Sequence, residues 1–151
     1  MAINVIEIQE EKEASYRSLV RPQLMEELKE KILEKLLVRK LYRNSGYTAK
    51  QLAVDLGTNV RYVSAVIRVQ FHTNYSTLVN KYRVEEAMSL LTDQRYDEHS
   101  VEEIGDMVGF AQRQSFHSYF QKYVGMTPRA YRMQYRQQLS SKQKKDDEQS
   151  D

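Results

Sequence analysis

Two clusters of side chains combine residue type with helical spacing in a way that suggests chemistry. Arg61, Ser64, Ala65 and Arg68 recur at i, i+3, i+4 and i+7, and Gln114, His117, Ser118 and Gln121 repeat the spacing 53 residues later, with Arg113 just before them. On a helix each set shares one face. Val63, Val66 and Ile67 lie opposite the first set, and Phe116, Tyr119 and Phe120 lie behind the second. Each polar set is therefore expected to face outward from an apolar seam. The chemistry on offer is recognition of nucleobase edges: Arg grips guanine through two hydrogen bonds, Gln grips adenine, and His donates or accepts at a base edge. Ala65 offers only a methyl contact. Lys50, Arg68, Lys122, Arg129 and Arg132 suit phosphate, which positions a protein without reading sequence. Bracing the fold is a second role open to Arg132, and an exposed Arg or Lys anywhere in the chain has simple solvation as its rival role.

Other chemistries lack their residues. The 151-residue chain has no Cys, which removes disulfides, thiol nucleophiles and thiolate metal sites together. His72, His99 and His117 are too scattered for a metal-ligand spacing. There is no Gly-rich phosphate loop, no recognisable carboxylate pair and no nucleophile with a base. The expectation is a protein that is not an enzyme and needs no metal or cofactor. No apolar run approaches the roughly 18 residues of a membrane span, and the N-terminus carries acids where a secretory signal would be apolar. A soluble cytoplasmic protein with no membrane partner is expected.

The net charge of +2 hides alternating blocks. Residues 1–35 are net −2, 36–83 net +7, 84–107 net −7, 108–145 net +8 and 146–151 net −4. Each polar cluster lies in a basic block. Two basic blocks separated by an acidic one suit a polyanion, with the acids facing away or steering approach.

The elements that must position these clusters are helices. With 5 Gly and 2 Pro among 151 residues, the chain is poor in turn residues, which predicts an all-α fold. Pro22 suits the first position of an amphipathic helix whose Leu24, Leu28, Ile32, Leu33, Leu36 and Leu37 recur at three and four. Thr48 with Gln51, and Ser100 with Glu103, have the form of capping boxes. Asn59 can cap the helix of the first cluster, and Ser76 a longer helix bearing Leu78, Val79, Tyr82, Ala87, Leu90 and Leu91. Leu52-Ala53, Gly57, Val63 and Ile67 reappear as Ile104-Gly105, Gly109, Phe116 and Phe120. A small residue in mid-helix, a Gly four later and apolar residues beyond specify a helix-turn-helix, used twice. The organisation expected is a partly ordered lead-in over 1–21 and a DNA-binding domain over 22–136. Within it lie helix-turn-helix units near 48–71 and 100–124 and a linker helix near 76–92. A disordered polar tail over 137–151 follows.

The stretch Gly109-Phe110, Phe116, Phe120, Lys122, Gly125, Thr127-Pro128 and Tyr131-Arg132 resembles the C-terminal signature of the AraC/XylS-type transcription regulators, and Arg83, Glu86-Ala87 and Leu90-Leu91 match that family's linker helix. The resemblance implies a bacterial, sequence-specific regulator that inserts two recognition helices into adjacent major-groove segments of double-stranded promoter DNA and recruits or assists RNA polymerase. Two positions depart from the pattern. His72 stands where the family often has Gly, and Ala111 where it often has a capping Ser, which predicts a strained turn and a weakened helix start. The residues upstream of Tyr47 are too few for the separate ligand-binding domain of many relatives, so no effector is expected within the chain. The unequal clusters predict an asymmetric site served by one chain, with residues 1–21 left as a route to self-association. The competing reading is a helical adaptor or anti-regulator that keeps the fold without reading DNA.

Overall fold

A computed structural model describes residues 4–150. The first three residues of the lead-in and the last residue of the tail lie outside that range. The chain divides into two compact units, Met1–Asn80 and Lys81–Asp151. All regular elements among the described residues are helical.

In the first unit, α1 (Val5–Leu19) starts at Asn4, whose side chain accepts from the Ile6 amide. The lead-in is thus a helix that packs against a later one, α4 (Val60–Phe71), where the sequence suggested only partial order. Its periodicity is weak because no α1 residue is fully buried. Helix α2 (Pro22–Leu33) has Pro22 at its first turn and buries Met25, Leu28 and Ile32. A π-helical turn, Glu34–Val38, follows, and the Arg39 amide reaches the Glu34 carbonyl at 3.0 Å. The wider turn shifts the register by one residue. Leu36 stays buried while Leu37, expected on the apolar face, emerges into solvent.

Helix α3 (Ala49–Asp55) is capped by Thr48, which accepts from the Gln51 amide. Only half of the expected capping box forms, because the Gln51 side chain bonds Asp55 at 2.9 Å instead. The Tyr47 hydroxyl donates to the other Asp55 oxygen at 2.6 Å, and Tyr75 donates to the Tyr47 carbonyl at 2.7 Å. Burial, helped by the Asp55 carboxylate, pushes the Tyr47 hydroxyl well above the usual tyrosine range. The Tyr47 and Gln51 bonds hold the Asp55 carboxyl below the usual carboxylate range. Gly57 turns the chain at φ +68°, and Asn59 caps α4 through the Tyr62 amide. Leu52, Ala53, Val63, Val66 and Ile67 form the buried seam.

Helix α4 ends at His72 in the left-handed region, φ +56° and ψ +34°. That is the strain expected where a Gly would be at ease. His72→Gly should therefore stabilise the first unit by about 0.5 to 1 kcal/mol. Urea unfolding would show a raised midpoint at unchanged slope; an unchanged or lowered midpoint would mean that contacts of the imidazole outweigh the strain.

Helix α5 (Tyr75–Leu91) has Asn74, not Ser76, at its start: the Asn74 side chain accepts from the Thr77 amide at 2.8 Å. Both residue types cap well, and the chain enters the helix two residues earlier than the sequence suggested.

In the second unit, the core joins Val84, Ala87 and Leu91 of α5 to Ile104 and Val108, Phe110, and Phe116 and Phe120. Ile104 belongs to α6 (Val101–Met107), which opens with the complete Ser100–Glu103 capping box. The two phenylalanines belong to α7 (Arg113–Val124). The Phe110 and Phe116 rings stack in parallel 5.2 Å apart, and Phe120 meets Tyr131 edge-on at 5.6 Å. Helix α8 (Pro128–Gln149) starts at the Thr127 cap with Pro128 in its first turn. It carries helix through the polar stretch expected to be disordered. Residues there such as Gln, Lys and Glu are good helix formers, and Gln143 bonds Asp147 one turn on.

Candidate nucleic-acid interface

The outward face of α4 is set by its buried seam. Arg61 and Ser64 are exposed, and Arg68 is half-buried. Ala65 corrects the sequence reading: it is not on the exposed face but fully buried, at 0% exposure. Val60, which sequence reasoning passed over, is 40% exposed in the same first turn as Arg61 and one turn before Ser64. An apolar residue four positions before Ser64 was the available signal.

In the second unit Arg113, Gln114, Ser118 and Gln121 are exposed on α7, and His117 is half-buried. Phe116 and Phe120 are buried behind them, so the polar face is the one left outward. The His117 ring lies 6.0 Å from that of Phe116. No side chain caps α7, but the cap position is Gln112, which makes no bond; Ala111, where the capping residue was expected, lies one residue before it. The geometry of α7 depends on Gly105 beneath it. A Cβ there would lie 2.2 Å from Cδ2 of Phe116, so a side chain on α6 would meet the ring directly.

The phosphate candidates divide. Lys50 on α3, Lys122 in the last turn of α7 and Arg129 in the first turn of α8 are exposed. Arg132 is not available: it is buried, and its guanidinium donates to the carbonyls of His99 at 2.6 Å and Tyr96 at 2.9 Å. Burial lowers its pKa from the ordinary arginine value. It braces the loop before α6 against α8. Arg136 adds a 3.3 Å bond to the Asp97 carbonyl of the same loop. The Tyr96 carbonyl also accepts from the His99 amide at 3.0 Å, so the guanidinium clamps a turn that already carries its own backbone bond.

Each unit therefore presents a short polar face on the second helix of a helix-turn-helix. Cations stand on neighbouring turns. Among the described residues no group of His, Asp or Glu is placed to hold a metal ion, and no helix is long and apolar enough to cross a membrane.

Residues 52–134 match a family model described as a helix-turn-helix domain. The C-terminal domain of AraT, a response regulator from Geobacillus stearothermophilus, is 28% identical, with a TM-score of 0.57 over 64% of this chain and 78% of that one. The C-terminal domain of the two-component response regulator yesN from Fusobacterium nucleatum is also 28% identical, with a TM-score of 0.59 over 69% of this chain and 98% of that one. A protein of unknown function from Listeria innocua, 22% identical, shares the fold with a TM-score of 0.59 over 68% of this chain and 91% of its own. No curated protein matches the chain.

Proposed function

The chain belongs to the AraC-type family of helix-turn-helix domains, a DNA-binding and non-enzymatic regulator fold, and on that footing we propose that it reads promoter DNA with two unequal heads. Arg61, Ser64 and Val60 are the base-facing groups of the first head, and Arg113, Gln114, His117 and Ser118 those of the second. Lys50, Arg68, Lys122 and Arg129 take phosphates. The observation that carries the reading is the repeated separation of faces: in both α4 and α7 an exposed polar set is backed by a buried apolar seam. Arg61, Ser64 and Arg68 of α4 keep clear of the seam at the same spacing as Gln114, His117 and Gln121 of α7.

Arg113 would grip a guanine, Gln114 an adenine, and His117 a neighbouring base edge. Val60 would meet a thymine methyl. Because the heads differ, the site is asymmetric and one chain serves it. RNA polymerase is the second partner this reading implies, as for other promoter-bound regulators of the resemblance.

Reading and gripping separate by mutation. Gln114→Ala or His117→Ala should each cost about 1 to 3 kcal/mol at the preferred sequence and relax choice at one or two base pairs. Arg68→Ala should weaken all duplexes alike. Titrations against a set of single-base variants would check both; an unchanged base preference in the Gln114 and His117 variants removes α7 from the groove.

A further inference from the structure

We propose that α1 is an acidic cover on the first recognition helix, and that α4 seats fully in DNA only after α1 has left it. The inference rests on the reading of α4 as a DNA-facing helix. Its starting point is the burial of Ala65. Successive helical residues are rotated by about 100°, so Ala65 stands roughly 100–160° away from Val63, Val66 and Ile67, outside the seam that they form. Something other than that seam covers it. Helix α1 packs against α4. Arg68 and His72, one and two turns beyond Ala65 on the same flank, line a cleft with Gln9, Lys12, Glu13 and Tyr16 of α1. The covered flank is thus contiguous with the face carrying Arg61 and Ser64.

Sterics make the contact incompatible with full insertion. A helix with its side chains is about 10–12 Å across, and the major groove is about 12 Å wide, so one helix fills it and a second on its flank does not enter. Charge points the same way. Helix α1 has Glu7, Glu10, Glu11 and Glu13 against Lys12 and Arg17, and it lies against α4, which holds Arg61 and Arg68 and no acid, so it stands in for part of the polyanion. It is also lightly held. No α1 residue is fully buried; Ile8, Glu13, Tyr16 and Leu19 are half-buried, and an isolated helix of 15 residues is marginal in water. Such an element opens at far lower cost than the core does. Helix α1 lies outside the matched segment, residues 52–134.

Hydrogen exchange on the unmodified full chain, with and without a 30-base-pair duplex selected for binding, tests this. The expected result is that α1 amides exchange about tenfold faster with DNA while α4 amides slow. Unchanged or slower α1 exchange alongside slowed α4 exchange overturns the cover and leaves the DNA reading intact. If no duplex is bound and α4 is unaltered, it is the DNA reading that fails. A second measurement exploits a chain with no cysteine. Tyr16→Cys with His72→Cys, bridged by a reductant-cleavable bis-maleimide, should bind the duplex at least about tenfold more weakly than the same protein after cleavage. Equal affinity before and after cleavage overturns the proposal. Should the paired variant not fold, the exchange measurement on the unmodified chain decides alone.

Discussion

Gly105→Ala is expected to destabilise the second unit by about 3 kcal/mol, the upper part of the range for inserting atoms into a packed core. The added methyl would lie 2.2 Å from Cδ2 and 2.8 Å from Cε2 of Phe116. That ring has nowhere to go: it is 2% exposed, stacked on Phe110 at 5.2 Å, and met edge-on by Phe120 at 5.8 Å. Relief therefore requires α7 to move, and α7 carries Gln114 and His117. On an open helix the same substitution would gain about 1 kcal/mol from helix propensity, so the sign of the effect is itself diagnostic. Chemical unfolding followed by circular dichroism would read it. A neutral or stabilising outcome would show that α6 and α7 do not cross as closely as described. In the first unit the corresponding residue, Ala53, already has its methyl buried at 2% exposure, so close crossing there tolerates one carbon.

Affinity for duplex DNA is expected to fall about a thousandfold to ten-thousandfold between 50 and 200 mM salt. The argument is counterion release: about six to eight phosphate contacts give a slope of log K against log salt near −5 to −7. The cations for those contacts come from the blocks of net +7 and +8, with Lys50, Arg68, Lys122 and Arg129 as the named candidates. Arg132 is excluded because it is committed to the Tyr96 and His99 carbonyls. Arg132→Lys should therefore leave the salt slope unchanged, whereas Lys122→Ala should reduce its magnitude by about one. A slope near zero for the parent chain would contradict phosphate-driven binding.

What the sequence made legible was mostly local. Thr48, Asn59 and Ser100 cap helices because a side chain and an amide three residues on suffice. The strain at His72 was legible only through the family resemblance, which often has Gly there. Both second helices of the repeat could be placed, since a helical seam is a one-dimensional pattern. What stayed hidden depended on distant partners. Arg132 had two roles open, phosphate and bracing, and the bracing one it takes uses main-chain oxygens 33 and 36 residues away, which no side-chain pattern marks. Ala65 looked outward because its burial needs an element other than its own helix-turn-helix. Leu37 surfaced because a π turn slipped the register, an event that periodicity assumes away. In the candidate interface, then, the faces were legible, while the two misplaced residues were those whose environment is made by other segments.

Selection of bound duplexes from a random-sequence library by the intact chain tests the central claim most directly, with the selection repeated for Arg61→Ala and Gln114→Ala. The account predicts one asymmetric motif containing two runs of preferred bases, the first relaxed by Arg61→Ala alone and the second by Gln114→Ala alone. A motif that neither variant alters, a palindrome requiring two chains, or no enrichment over the starting pool would contradict it.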